Sequence, residues 1–235
     1  MPDSRSENKI EPRFDVTTAI LVDGGFYKKR AYHLWGAKTP QARAEELQSY
    51  CMKLLKNKYE NRFLYRIFYY DCPPIAKKVY HPLIQRTIDF GKSEEYIWQN
   101  VFLQELRSKR KFAVRLGELS ESTAQYTINP TTLKKLLKGE IALDSLTEQD
   151  FRFNVEQKGV DMRIGVDITS LALKKQAQQI ILISGDSDFV PASKQARREG
   201  IDMILAPMGA TVKPSLHEHI DGMINAVKDP LATPE

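Results

Sequence analysis

The chain has little cysteine: Cys51 and Cys72 are its only two in 235 residues. They form no CxxC pair, which excludes a disulfide framework or zinc ribbon and makes a reducing, cytoplasmic setting the expectation. No apolar run approaches the roughly 20 residues that cross a bilayer, so no membrane partner is expected. The polar opening MPDSRSENKIEPRFD lacks the apolar core of a secretory signal. Residues 1–15 read as a disordered lead-in, and 228–235, with Pro230 and Pro234, as a flexible tail. GxSxG, HExxH, a Cys/His nucleophile arrangement and internal repeats are also absent. Gly91-Lys92-Ser93 resembles the end of a phosphate loop, but Arg86 stands where that loop needs its first glycine. His217 and His219 are two apart, which sends them to different sides of a helix rather than to one zinc ion.

What is present fits one soluble domain. Hydrophobic residues make up 42% and charged residues 28%, and the net charge of +5 permits an anionic partner without demanding one. Short apolar runs at Thr17–Val22, Arg62–Tyr70, Phe112–Leu119, Phe151–Val155, Ile180–Ile183 and Ile201–Ala206 read as strands. Helical spacing marks Pro40–Lys56, most of Val79–Arg107, Asp161–Ala177, Phe189–Arg198 and Pro214–Val227. This alternation predicts an α/β fold: a three-layer α/β/α, Rossmann-like domain with a mainly parallel central sheet. One domain is expected over 16–227, with an insertion at 120–149 where the rhythm breaks.

The stretch IILISGDSDFVPASKQARRE, Ile180–Glu199, organises the rest. A buried strand ends in Ser184-Gly185-Asp186-Ser187-Asp188, and a helix begins. Ligands bind at that edge of an open α/β sheet. Asp188 alone reads as a helix cap, but Asp186 beside it adds repulsion without improving the cap. Asp23 occupies the matching position after the first strand, and Asp161 begins the helix that follows Lys158-Gly159-Val160. Asp167 is six residues further, about 9 Å along that helix. Asp71 also ends a strand, but Pro73 and Pro74 favour a turn role for it. Several carboxylates at one edge repel unless a cation is present, and Mg²⁺ or Mn²⁺ with carboxylate and water ligands resolves this. Such an ion activates water and binds phosphoryl oxygen, the chemistry of phosphodiester hydrolysis.

Leu21-Val22-Asp23-Gly24, Lys158-Gly159-Val160-Asp161 with Asp167-Ile168, and Leu182–Phe189 (LISGDSDF) resemble the motifs of the NYN family. That family lies within the PIN-like nuclease superfamily and includes the LabA-like proteins. The resemblance spans Thr17 to Ala206 and implies a PIN-like fold cutting single-stranded or structured RNA with divalent metal. Carried over by motif, Asp23, Asp161, Asp186 and Asp188 are metal and catalytic residues, with Asp167 the remaining acid of the cluster. Gly25 stands where many relatives have Asn.

The expected partner is RNA. Lys28, Lys29 and Arg30, and the cluster Arg107, Lys109, Arg110 and Lys111, are candidates for its backbone, although a charge run is more commonly a solvated face. Ser184 and Ser187 are candidates to hydrogen-bond a ligand carboxylate or the scissile phosphate, with capping as the bland alternative. A homodimer is the default oligomeric expectation. A metal-dependent endoribonuclease is therefore expected. Its alternatives are a non-catalytic RNA-binding or regulatory protein of the same fold and a metal-dependent phosphatase.

Overall fold

A computed structural model describes residues 14–232. The apolar run of the first strand is extended by Phe14 and Asp15 into β1 (Phe14–Asp23), so two residues of the expected lead-in are already strand. Residues 1–13, the rest of that lead-in, lie outside the described residues. After β1 come helices α1 (Gly24–Trp35) and α2 (Pro40–Leu54), then β2 (Glu60–Asp71). The Thr39 side chain and Pro40 start α2 by capping and by a preset φ.

The region expected to be mostly helical from Val79 to Arg107 begins instead with a hairpin, β3 (Lys78–His81) and β4 (Arg86–Asp89). Val79 and His81 are buried while Lys78 and Tyr80 are exposed, a two-residue period that no helix can satisfy. Helix α3 (Glu94–Ser108) follows. The Gly91-Lys92-Ser93 sequence has a local explanation: Asp89 accepts from Gly91 N and Ser93 caps α3.

The expected strand Phe112–Leu119 is two strands, β5 (Phe112–Leu116) and β6 (Glu118–Ile128), broken at Gly117. A Cβ there would lie 2.5 Å from the Lys158 carbonyl oxygen, so only glycine lets these segments cross. β6 pairs antiparallel with β7 (Phe151–Lys158), and α4 (Pro130–Leu137) and short turns lie between them. The irregular segment is thus a two-stranded ribbon with a small cap, and Phe151–Val155 does not join the main sheet. Tilted ring contacts bolt the ribbon to the hairpin and the turn after it, with Phe90 and Phe153 centroids 4.1 Å apart and His81 and Tyr126 4.2 Å apart.

Helix α5 (Val160–Leu173), β8 (Gln179–Ile183), α6 (Val190–Arg198) and β9 (Asp202–Leu205) restore the α/β alternation. The expected closing helix shrinks to α7 (Pro214–His217), and the chain then adds β10 (Gly222–Met223) to the sheet. Asp221 directs that change by accepting from Met203 N at 2.9 Å and from Arg197 at 2.8 Å. The expected tail is tied down at Asp229, whose carboxylate is 2.8 Å from Lys38 on the loop before α2. Residues 233–235 lie outside the described residues.

The six-stranded sheet runs β10-β9-β8-β1-β2-β5, and every neighbouring pair is parallel. Ile20, Val22, Ile67, Tyr69, Ile181 and Ile183 face a core shared with α1, α2 and α3. Ala19, Leu21, Phe68, Tyr70, Ile180 and Leu182 face the opposite core, against α5 and α6. Burial on both faces accounts for strands that are continuously apolar. The architecture is the expected three-layer α/β/α domain. From β1 the chain builds outward to β2 and β5, then crosses to β8 on the other side. The switch point between β1 and β8 therefore opens at the carboxyl edge, beside Asp23 and Ser184.

Candidate functional site

Asp23 is the last residue of β1 and the N-cap of α1, its Oδ1 accepting from Phe26 N at 3.0 Å. Gly24 follows because a Cβ there would sit 2.5 Å from both the Tyr70 carbonyl oxygen and the Tyr69 ring. A Cβ on Gly25 would meet nothing closer than Asp23 Oδ1 at 3.6 Å, an ordinary contact. The two glycines of Asp-Gly-Gly thus have different causes: the first is compelled by packing, the second is not.

Ser184, fully buried at the end of β8, donates from its hydroxyl to Asp23 Oδ2 at 3.1 Å and accepts from Asp186 N at 3.2 Å. Its hydroxyl spans the switch point and orients the first acid. Buried in this way, it acts on Asp23 rather than touching a polynucleotide. Asp186 in turn accepts from Asp188 N at 3.1 Å, and Ser187 accepts from Lys213 at 3.1 Å. Ser187 and Lys213 stand at the surface of the carboxyl edge; Lys213 is a cation that sequence spacing gave no reason to select.

Gly159, with φ of +78°, turns the chain from the ribbon into α5 and puts Asp161 in the first turn of that helix. An acid there is favoured by the helix dipole. Asp23, Asp71, Gly25, Gln157, Gly159 and Asp161 line one cavity of about 180 Å³. Asp161 also borders the surface groove that contains Asp188.

Burial and like charge act together on Asp23 and Asp161. Burial pushes the Asp23 carboxyl above its ordinary value, Phe26 N–H and the Ser184 hydroxyl pull against that, and the charges of Asp161 and Asp71 push it up again. Asp161 is raised too, first by desolvation at the cavity and then by Asp186 and Asp188. Among the described residues, no three His, Cys, Asp or Glu side chains stand close enough together to hold one ion directly. The acids gather within electrostatic reach of one another without closing a coordination shell.

Asp71 is the site residue that sequence reasoning set aside. It is buried, its Oδ2 is 2.7 Å from Lys28 Nζ and accepts from the Tyr69 hydroxyl at 2.8 Å, and its Oδ1 accepts from Cys72 N at 2.8 Å. The available signal was its position: in the sheet register Asp23 pairs with Tyr70, so both acids end adjacent strands at the same height. The prolines shape the loop beyond Asp71 and leave its side chain at the edge.

Asp167 is not brought to the cavity. The Tyr70 hydroxyl donates to it at 2.8 Å and Arg115 Nε approaches at 2.7 Å, so its negative charge is already balanced. Arg30 is also occupied, donating twice to the Met208 carbonyl, at 3.1 and 2.7 Å, while Lys29 is exposed. Arg107, Lys109, Arg110 and Lys111 precede β5 and so stand at the amino edge of the sheet. Five residues of strand separate them from the carboxyl edge, roughly 15 Å at 3.3 Å per residue. Lys109 is held by Glu45 and Gln48, and Lys111 by the Leu64 carbonyl.

The family model for the NYN domain matches residues 85–225, more than half of the chain. The chain belongs to the NYN domain family. Its fold is accordingly that of PIN-like nucleases. The matched span contains Asp161, Asp186 and Asp188 and begins after β1 and β2, so Asp23 and Asp71 lie outside it and are joined to the site by the geometry. Among solved structures, a protein of unknown function from Vibrio parahaemolyticus is similar at 15% identity. That similarity covers 89% of this chain and 91% of the other, with a TM-score of 0.47. No curated protein matches.

Proposed function

We propose that this NYN-domain protein is a divalent-metal-dependent endoribonuclease, hydrolysing RNA phosphodiester bonds at the carboxyl edge of β1 and β8. The observation that carries the reading is the gathering of acids there: Asp23 and Asp161 border one cavity, burial pushes both carboxyls up, and Asp186 and Asp188 add repulsion on Asp161. An all-oxygen donor set of this kind suits Mg²⁺ or Mn²⁺. The open spacing suits Mg²⁺ in particular, which keeps several waters and needs only one or two direct carboxylates. When bound, such an ion supplies an activated water and charge stabilisation at the phosphoryl group.

The residues have distinct tasks in this reading. Asp23, fixed by Phe26 N and Ser184, and Asp186, at the head of the β8 loop, hold the ion. Asp161 and Asp188 complete its surroundings directly or through water. Lys28, anchored on Asp71, and Lys213, beside Ser187, offer positive charge to the RNA backbone on either side. The paired Asp167 stays outside this set.

The test is incubation of purified protein with end-labelled single-stranded RNA and DNA in Mn²⁺, Mg²⁺ and EDTA, with Asp186→Asn protein run in parallel. Asparagine keeps the capping acceptor and removes the charge. Cleavage that needs metal and disappears in the variant is the expected result; cleavage retained by a folded Asp186→Asn protein would overturn the assignment.

A further inference from the structure

Beside the acid cavity lies a second one of about 210 Å³, which shares Asp71 and Gln157 with it. One wall is the β6–β7 ribbon, through Phe153, Val155 and Gln157; the other is the start of α3, through Tyr96. The ring of Phe90 closes one end, packed on Phe153 at 4.1 Å. Lys28 lines this second cavity and is paired with Asp71 on the wall the two cavities share. Its ammonium is 2.7 Å from Asp71 and donates to Gln99 at 3.2 Å, which leaves one of its three N–H groups uncommitted.

Three properties of this cleft narrow what it takes. Phe90, Tyr96 and Phe153 place three rings in its lining, which favours a planar π-system. It is smaller than the pockets of roughly 300–1,000 Å³ that enclose whole drug-sized ligands, so it suits one ring system. It adjoins the acid cavity across Asp71 and Gln157, and Lys28, paired with Asp71, puts a cation beside that shared wall, where a phosphate joining the two subsites would lie. We propose that the cleft between ribbon and α3 receives one unpaired nucleobase of the RNA strand, placing the adjoining phosphodiester at Asp23 and Asp161. Because both walls rise around the base, a base paired in a duplex cannot enter, and the substrate is single-stranded at this point. The ribbon thereby acquires a task, as the specificity wall of the site. This inference rests on the nuclease reading for its substrate class, but its test does not depend on cleavage.

The experiment is equilibrium binding in EDTA, with full-length protein and short single-stranded RNAs carrying a fluorescent purine analogue at successive positions. A blunt duplex of the same sequence serves as comparison. Single strands should bind more tightly than the duplex, with fluorescence quenched at one position only. Tyr96→Ala should weaken binding about tenfold or more and relieve the quench, as expected for loss of one stacking partner. Tyr96→Phe should keep both, and the exposed Gln157→Ala tests the ribbon wall without touching the packed rings. Circular dichroism establishes that each variant is folded. Equal affinity for single strand and duplex, or wild-type binding by both Tyr96→Ala and Gln157→Ala, would overturn the inference. RNA cut by wild type without any position-specific quench also overturns it while the nuclease reading stands. Position-specific binding without cleavage in Mn²⁺ supports the cleft and removes the nuclease reading.

Discussion

The two edges of the central sheet use the same residue types in opposite ways. At the amino edge, the buried Gln179 donates to Asp202 at 2.6 Å and to Glu60 at 3.3 Å and accepts from Thr18 at 3.1 Å. Asp221 is held by Arg197 and Met203 N, and Lys109 by Glu45 and Gln48. Polar groups there satisfy one another. At the carboxyl edge, Asp23 and Asp161 face a shared cavity with their carboxyls pushed up, and among the described residues that line it there is no cation. Within that edge, Asp71 and Asp167 have acquired Lys28 and Arg115. Placement after a strand therefore does not make an acid a ligand; lack of an internal counter-ion sets the candidates apart.

Neutralising one acid gives the sharpest test of the contrast. Asp23→Asn keeps a cap acceptor and should lower RNA cleavage by at least about 10²-fold, the scale of losing one electrostatic partner of a transition state. The same change should raise the stability of the metal-free protein, by about 1 kcal/mol, or roughly 2–4 °C in Tm, because it removes a buried charge among like charges. Nuclease assays and thermal melts in EDTA measure the two. A lowered melting temperature would mean that the charge of Asp23 serves the fold.

At the amino edge the pattern should reverse. Gln179→Ala leaves Asp202 and Thr18 short of partners and should cost about 1–3 kcal/mol, seen in urea unfolding, with cleavage per folded molecule unchanged. Gly24→Ala should cost a similar 1–3 kcal/mol by overpacking against Tyr70, while Gly25→Ala, with room for its methyl, changes stability far less.

The pH dependence carries the same contrast at smaller amplitude. Asp23 and Asp161 have folded pKa values above their ordinary 3.8, so the folded state binds their protons more tightly than the unfolded chain. Their contribution is fully present below that ordinary value and is lost as pH rises through the folded values. Asp229 behaves oppositely: burial pushes it up, but Lys38 and Leu231 N outweigh that and hold it low, so its contribution is lost on acidification. Thermal melts of wild type and Asp23→Asn from acid to neutral pH should isolate the first component. The stabilisation by Mn²⁺ should grow with pH across the same window, as the carboxylates ionise.

The smallest effect is expected from the basic cluster at the amino edge. Arg107→Ala with Arg110→Ala should leave the salt dependence of RNA binding unchanged. A drop in the salt slope of about 1 per contact would show that RNA wraps past the carboxyl edge.

Much of this was legible along the chain. The runs TTAILV and IILI are apolar at every position or nearly so, and only a strand covered on both faces has that need, so the parallel sheet and its order of acids followed. The Asp161 position was readable as well, although by an indirect route: it begins a helix at the carboxyl edge because an antiparallel ribbon returns the chain there, not because a sheet strand does. Less was legible where local preference was weak. Val79–Arg107 contains enough helical spacing to hide a hairpin of two four-residue strands, and Pro214–Val227 holds apolar residues that serve a short helix and an edge strand equally well.

Residue order alone settled which chemistry is available: oxygen donors without a zinc-type cysteine and histidine set, spaced to recur at strand–helix junctions. Which donors remain free was decided by folding. Asp71 ends a strand as Asp23 does, and Asp167 shares a helix with Asp161; what sets the paired acids apart is Lys28, Tyr70 and Arg115, contributed by other strands and helices. Charge compensation is a through-space property, set by distances between elements that no local spacing encodes. The aromatic cleft has the same origin. Tyr96 and Phe153 are more than fifty positions apart in the chain, and they come to face one another only because the ribbon folds back beside α3.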